Sequence, residues 1–572
     1  MGHAALMAPH GGRLVNLMAG ESRRAEVAEI ALRSPSLRLT ARQLCVLELL
    51  LCGGFSPLTG FLNRADYEHV VRNLRLASGE LWPIPVMLEV SAADVARIAD
   101  HEHVVLRDIT GLTLAVMKRG DLWKPDKAKE AAGVFGTVST AHPAVDYLMN
   151  KAGGYYLGGT LEGVSLPRQY DFKRIRHTPQ QLRAAFRKRG WHRVVAFQTR
   201  NPMHRAHKEL TDRAAEAIGG QLLIHPAVGM TKPGDIDHFT RVRSYKRLLR
   251  HYPENAAMLS LLPLAMRLGG PREALWHAII RKNYGCTHLI VGRDHAGPGM
   301  AVGNKPLYGP YDAQALVDRY SRELDIEMVP FKLMVYVPGE KAYRSQDELP
   351  QGTTTLSLSG TALRRMLVDG DRIPDWFSYA DVIDELRHRY PERGHQGFAV
   401  FLTGLSGSGK STIGNALQSR LLELTTRPVT LLDGDVVRTN LSRGLGFSKE
   451  DRSVNVQRIG YVASEIVRHR GIVICAPIAP YAQDRSVNRS RIGGYGGYVE
   501  VFVDAPLEVC EKRDVKGLYA KARAGVIKGF TGIDDPYEAP DQAEVICRTD
   551  QESVEESTEK VLAKLRTLGY LA

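Results

Sequence analysis

Residues 397–412 read Gly-Phe-Ala-Val-Phe-Leu-Thr-Gly-Leu-Ser-Gly-Ser-Gly-Lys-Ser-Thr. An apolar, strand-like run drops into Gly404-x-x-x-x-Gly409-Lys410-Ser411, and an amphipathic stretch follows. This is a P-loop in its required setting, strand before and helix after, and it commits this part of the chain to an α/β sheet with phosphate bound at a helix N-terminus. The glycines let successive N–H groups turn toward one anion. Lys410 can reach the β/γ-phosphates of a nucleoside triphosphate, and the Ser411 hydroxyl can ligate Mg²⁺. The loop starts at residue 404 of 572, so something large precedes it.

A chain of 572 residues is too long for one core, and two to four domains are expected. The clearest seam is Tyr390-Pro-Glu-Arg-Gly-His-Gln-Gly397, where Pro391 and Gly394 suit a linker over 391–396 after a helical stretch, Tyr379 to Arg389. A second boundary falls near Leu166-Pro167-Arg168. Before it, short apolar segments such as Leu81 to Val90 and His103 to Val116 alternate with turns, which predicts a β-rich domain over 1–168. After it, helix and strand patterns alternate, which predicts an α/β domain over 169–390. The P-loop domain fills 397–572.

Composition narrows the class. Hydrophobic residues make up 44% and charged residues 24%, as in soluble globular proteins. The best apolar run, Leu44 to Phe55, is interrupted by Glu48 and is too short to span a membrane. The opening Met-Gly-His-Ala-Ala-Leu has neither a secretory nor a myristoylation pattern, so the expected location is the cytoplasm. Six irregularly spaced cysteines without a C-x-x-C pair read as reduced, buried thiols, and Cys286-Thr-His288 reads as packing rather than a metal site. The net charge of +13 comes without long Lys/Arg runs or a nucleic-acid motif, so it is assigned to small polyanions.

The middle segment carries its own chemistry. Val194 to Phe197 reads as a buried strand and runs into Gln198-Thr-Arg-Asn-Pro-Met-His-Arg-Ala-His207, with a helical stretch, Lys208 to Ile218, behind it. That order places the loop at the C-terminal edge of a parallel sheet, where ligands bind. His204 and His207 share one helix face and can donate to phosphate oxygens. Gln198, Thr199, Arg200 and Asn201 add donors, and no carboxylate intrudes in the segment. A second strand, His288 to Val291, ends in Gly292-Arg-Asp-His-Ala-Gly297, where Arg293 adds a fixed positive fork.

Together these residues resemble the ATP sulfurylases, whose fingerprints Q-x-R-N-P-x-H-x-x-H and G-R-D-x-A-G stand here at 198–207 and 292–297. Segments at 9–12, 54–58, 225–238, 263–281 and 358–364 are also similar, so the resemblance covers about 1–390. It implies a β-rich PUA-like N-terminal domain and a Rossmann-like nucleotidyltransferase domain. The implied reaction is attack of sulfate on the α-phosphorus of ATP, giving adenosine 5′-phosphosulfate (APS) and pyrophosphate. The implied sulfate site is Gln198, Arg200 and Ala296. The implied catalytic set is Thr199, Arg200, Asn201, His204 and His207. Gln198 to Asn201, Gly292, Arg293, Asp294, His295 and Met334 would bind the nucleotide. Met334 stands where fungal relatives have valine, an exchange between apolar residues.

Around the P-loop, a strand at 428–432 ends in Asp433-Gly434-Asp435, with Arg438 beyond. A carboxylate there can accept a hydroxyl proton or hold Mg²⁺. Phe447 and Phe530 lie in Gly-flanked loops that favour an aromatic clamp on a base. This segment resembles the APS kinases through Asp433-Gly-Asp-x-x-Arg438, Leu445-Gly-Phe-Ser-x-x-Asp-Arg-x-x-Asn455 and the stretch Gly517 to Glu538. The resemblance implies a P-loop NTPase-type kinase that moves the γ-phosphoryl group of ATP to the 3′-hydroxyl of APS, giving PAPS. Gly404, Leu405, Ser406, Gly407, Ser408, Gly409, Lys410, Ser411 and Thr412 would hold ATP, with Lys410 catalytic. Asp435 would be the base. Arg438, Phe447, Arg452, Asn455, Lys528 and Phe530 would bind APS with it. Ser411 and Asp433 would hold Mg²⁺, and no organic cofactor is implied. Two departures stand out: Ala479 replaces a serine found in many bacterial kinases, which excludes a phosphoserine route at that position, and Val515 replaces a proline, which predicts a looser turn.

Two readings of the C-terminal domain follow from the resemblance: a working kinase, or a PAPS-sensing module as in filamentous fungi. The intact Gly404, Gly409, Lys410, Ser411, Asp435 and Arg438 favour catalysis. Relatives with this domain order also imply a homo-oligomer, with no nucleic-acid or membrane partner.

Overall fold

The computed structural model describes residues 6–232, 235–299, 301–302 and 305–571. The N-terminal reading at residues 1–5 and positions 233–234 of the 225–238 segment lie outside them. The chain divides into two compact units, Met1–Ser359 with Ile373–Leu386, and Gly360–Arg372 with Arg387–Ala572. The small exchanged segment, 360–372, carries a helix, Gly360–Asp369.

Among the described residues the first unit holds two large sheets and two two-stranded ones. One large sheet is mostly antiparallel and runs in the order Ser36–Arg38, His103–Arg107, Thr113–Trp123, Tyr155–Gly163, Gly60–Phe61, with Leu88–Val90 also paired to Tyr155–Gly163. Helices surround it: the apolar stretch at 44–55 forms most of the helix Ala41–Leu51, started by a reciprocal Thr40–Gln43 capping box. The mixture of sheet and helix here is richer in helix than the turn-rich pattern predicted.

The other large sheet is parallel, in the order Glu327–Pro330, His288–Val291, Val194–Phe197, Gln221–Ile224, Ala257–Leu259. Chain order therefore reverses between Val194–Phe197 and His288–Val291. The loops leaving these two strands open a crevice at their carboxyl ends, the place where such sheets bind ligands. The helix Gly270–Tyr284 runs behind and is buried along most of its length. Leu275, Trp276, Ile279 and Ile280 are fully buried on it, each worth about 1.5–3 kcal/mol. Its last turn anchors the N-terminal segments: Asn283 accepts from the His10 N–H at 2.9 Å and donates to the carbonyls of Gly54 and Ser56 at 3.0 Å.

The second unit is built on one parallel sheet, in the order Val429–Asp433, Ile472–Ala476, Phe398–Thr403, Gly497–Asp504, Val545–Arg548. All six residues of Phe398–Thr403 are buried, as a central strand covered on both faces requires. The six cysteines are free thiols, five of them buried. No helix among the described residues is long and apolar enough to cross a membrane.

Candidate active sites

In the first unit, the loop after Val194–Phe197 is tied down from within. Thr199 Oγ donates to the Asn201 carbonyl at 2.9 Å and accepts the Asn201 N–H at 3.1 Å, and the Tyr245 hydroxyl donates to the same carbonyl at 2.7 Å. His204 is the N-cap of the helix Arg205–Ala217, and its N–H donates to His207 Nδ1 at 3.2 Å. That bond leaves the His207 proton on Nε2, free to donate outward. His204 Nδ1 lies 3.0 Å from Ser378 Oγ. Burial pushes His204 down to about 3 and His207 down to about 4. Both rings are neutral at physiological pH, so they serve as dipolar donors and not as cations.

The second loop, 292–297, meets the same crevice. Asp294 and Ala296 take left-handed φ values of 51° and 56°. A side chain on Gly297 would sit 2.0 Å from Asp294 Oδ1, so it would displace the Asp294 carboxylate from its place. Burial raises the Asp294 carboxyl, and Arg200, Arg293 and Lys232 partly offset it. Met334 opens the strand Met334–Val337, three residues past Phe331, whose N–H donates to the Val291 carbonyl at 3.0 Å. Gln198, Thr199, Arg200, Asn201, His204 and His207 thus belong to one loop and helix start, and Gly292 to Ala296 to the neighbouring strand end.

The expectation that no carboxylate intrudes needs correction. Arg200 Nη1 donates to both oxygens of Asp235, at 2.7 and 2.8 Å. Asp235 lies 35 residues downstream of Arg200, so the pairing is invisible in the segment itself. The structure also adds residues the motifs did not include. Glu273, His277 and Arg281 stand four apart on the buried helix, and all three are fully buried. His277 Nε2 lies 3.4 Å from Glu273 Oε1 and 3.2 Å from Gln198 Nε2, and its Nδ1 lies 3.1 Å from His295 Nε2. A polar stripe with period four on an otherwise apolar helix was the available signal.

In the second unit, the P-loop joins Phe398–Thr403 to the helix Lys410–Leu424. Gly404 has φ 154°, and a side chain there would press within 2.4 Å of the Val503 carbonyl. Lys410 is buried and folds back, donating to the Gly404 and Leu405 carbonyls at 3.0 and 2.7 Å. Burial pushes its ammonium down to about 8. Ser411 Oγ donates to Asp433 Oδ2 at 2.6 Å, and Asp433 caps the helix Gly434–Asn440 by accepting the Asp435 N–H. Leu405, Ser406, Gly407, Ser408 and Gly409 complete the turn. Ser408 Oγ is buried without a partner, and Thr412 is exposed on the first helical turn. An oxygen pair at Ser411 and Asp433 suits a hard cation such as Mg²⁺, which keeps waters and nucleotide phosphates as its other ligands.

Asp435 is ion-paired with Lys516 on the surface. Arg438 donates to the Gly446 carbonyl at 3.0 Å and covers the Phe447 ring at 4.3 Å. Arg452 bonds Thr531 at 2.7 Å and Asp535 at 2.9 Å, while Asn455 Oδ1 is buried without a partner. Lys528 is exposed on the same loop as Phe530, whose ring meets Tyr519 edge-on at 5.0 Å. Among the described residues no ring contact joins Phe447 to Phe530, and Phe447 is 66% exposed. Val515 does not leave a loose turn: Asp514 accepts the N–H groups of Tyr519 and Ala520 at 3.1 and 3.0 Å, holding the next helix in place of the missing proline. Ala479 is buried with φ 47°.

Comparison with known proteins agrees with this layout. The PUA-like domain profile matches residues 7–166, the ATP-sulfurylase profile 173–389 and the adenylylsulphate kinase profile 396–548. A sulfate adenylyltransferase from Chaetomium globosum is 52% identical over 567 residues, covering 98% of this chain and 99% of that one. Another from Mycosarcoma maydis is 51% identical, covering 99% and 100%. A solved structure described as a hexameric APS kinase from Thiobacillus denitrificans superposes with a TM-score of 0.81 at 36% identity, covering 99% of both chains. This chain is a transferase that belongs to the sulfate adenylyltransferase family, with an adenylylsulfate kinase domain following the sulfurylase domain.

Proposed function

We propose that the chain activates sulfate in two steps, each on its own ATP. In the first, a sulfate oxygen attacks the α-phosphorus and pyrophosphate departs with the bonding electrons; no proton needs to move. Gln198, Arg200 and the Ala296 backbone hold sulfate. Thr199, Arg200, Asn201, His204 and His207 hold the nucleotide phosphates, and Gly292 to His295 with Met334 line the nucleoside. Positioning and charge stabilisation account for such a reaction, and neutral imidazole donors in a buried site supply them without reorganising water.

In the second step the 3′-hydroxyl of APS attacks the γ-phosphorus of ATP. Asp435 takes the hydroxyl proton and ADP leaves, giving PAPS. Lys410 swings from its loop carbonyls to the β/γ-oxygens, and the N–H groups of 404–412 cradle them. Arg438, Arg452, Asn455 and Lys528 bind APS, and Phe447 and Phe530 approach its base. Ser411 and Asp433 would hold Mg²⁺, which would supply charge neutralisation when bound. The domain bounds that go with this reading are 1–168, 169–390 and 397–572, with a linker over 391–396; the location is cytoplasmic. The hexameric description of the Thiobacillus denitrificans protein supports a homo-oligomer.

The observation that carries the kinase step is the complete P-loop with Ser411 bonded to Asp433 and Asp435 at the next helix start. A second reading, a C-terminal domain that binds PAPS without catalysis, draws on the full-length relatives from Chaetomium globosum and Mycosarcoma maydis, whose names state only the sulfurylase activity. ATP formation from APS and pyrophosphate tests the first step. APS-dependent release of ADP from MgATP tests the second, and PAPS inhibition of the sulfurylase without that release would favour the second reading.

A further inference from the structure

Gln198 has an unresolved conflict at its amide. Its Nε2 faces His277 Nε2 at 3.2 Å, while its Oε1 is buried with no partner among the described residues. The two ends of an amide have the same shape, so their partners decide which way it points. The decision is made one residue further in. Both Glu273 oxygens accept backbone N–H groups, from Arg267 and Gly269, each at 2.9 Å. Burial would raise the Glu273 carboxyl, but these bonds and His277 more than offset it and hold it below the usual carboxylate value. Glu273 is therefore an ionised acceptor, and the His277 Nε2 beside it at 3.4 Å carries the proton.

The rest of the network then has one consistent arrangement. Burial holds His277 neutral, so its Nδ1 is a lone pair that accepts from His295 Nε2–H at 3.1 Å. A Gln198 NH₂ group facing the His277 Nε2–H would set donor against donor, so the Gln198 oxygen belongs on that side. Half a turn of the amide supplies that oxygen and places the NH₂ group at the buried end that has no partner among the described residues, where only a ligand's acceptor can satisfy it.

We infer that Glu273 and His277 are positioning residues that turn the Gln198 amide so that its NH₂ group faces the bound oxyanion, making the site selective for an anion that carries no proton. The inference rests on the sulfurylase reading. Sulfate at neutral pH is acceptor-only, whereas hydrogen phosphate of similar size and charge keeps one O–H. The NH₂ group gives an O–H aimed at it no acceptor, the nearby Asp235 carboxylate is already engaged by Arg200 and by the Lys232 N–H, and an unpaired polar group in a buried site is costly.

The test compares His277→Met, which removes the donor, with His277→Gln, which can restore an N–H near the Nε2 position. KM for sulfate, KM for ATP, and inhibition by inorganic phosphate are measured on the full chain, with Tm as a check on folding. The expected result is a roughly ten- to hundredfold rise in sulfate KM for His277→Met, phosphate inhibition strengthened relative to sulfate binding, ATP KM little changed, and recovery in His277→Gln. In an active wild-type chain, unchanged sulfate-to-phosphate selectivity in His277→Met, or equal rises in both KM values, would overturn the inference alone. A wild-type chain without adenylyl transfer would overturn the sulfurylase reading and this inference with it.

Discussion

At the loop after Val194–Phe197 the imidazole donors are neutral, and the one charged donor, Arg200, is paired with Asp235; at the loop after Phe398–Thr403 the key groups are charged and several are exposed. His204 and His207 have lost their protons to burial, and their orientation comes from Ser378 and from a helix cap. Asp435 and Lys516, by contrast, have side chains 65% and 53% exposed and are paired with each other, and Lys410 is folded onto its own loop. Apart from the Arg200–Asp235 pair, the side chains of the first site are held in place by bonds within the protein. The second must exchange protein partners for phosphate oxygens. A preorganised site spends little on ordering when its ligand binds. A site that rearranges ties its charges to the arrival of the correct nucleotide.

Substitution of Lys410 separates the two sites most sharply. Lys410→Ala should cut APS-dependent ADP release by about a thousandfold or more, since a charge on the transferring phosphoryl group is lost, and leave ATP formation from APS and pyrophosphate within about twofold. A parallel fall in both rates would show that the sites are not independent. Asp435→Asn comes next: loss of the base should lower kinase kcat by about 10²–10⁴-fold with a smaller change in KM for APS. If KM alone moved, Asp435 would be a binding group.

A pH experiment tests the buried character of the first site. His204 is held at about 3 in the folded chain against an ordinary value of 6.5. Below 6.5 the unfolded chain takes up that proton and the folded chain does not. Stability is therefore present above 6.5 and is lost as pH falls from 6.5 toward 3, by about 1.4 kcal/mol per unit for this group. Tm should drop less steeply in His204→Asn than in wild type over that window. An equal slope would mean that His204 is not buried as a neutral ring. The smallest effect is expected at Asp235: Asp235→Asn frees Arg200 and should lower sulfate KM about two- to fivefold, the scale of a partly exposed ion pair. A rise would make Asp235 part of the binding site instead of a placeholder.

The contrast also explains what could be read from the chain alone. Local strand–loop–helix signals were enough to place Gly404 to Ser411 and Gln198 to His207 between a strand and a helix, because each loop and its helix start lie within about a dozen residues. Partners that come from elsewhere in the chain left no such trace. Asp235 reaches Arg200 from a different strand end, and Lys516 reaches Asp435 across 81 residues. Glu273 and His277 sit on a helix whose surroundings read as core; burial holds His277 neutral, while hydrogen bonds from His277 and from the Arg267 and Gly269 N–H groups hold the Glu273 carboxyl down. Next to Val515, Asp514 caps the following helix, a contact that the missing proline did not announce.

The most direct measurement is product identity when the purified chain meets APS and MgATP. The account predicts PAPS and ADP in equal amounts in wild type and neither in Lys410→Ala. Unconverted APS in wild type, with pyrophosphate-dependent ATP formation intact, would contradict a working second site and leave the C-terminal domain as a binding module.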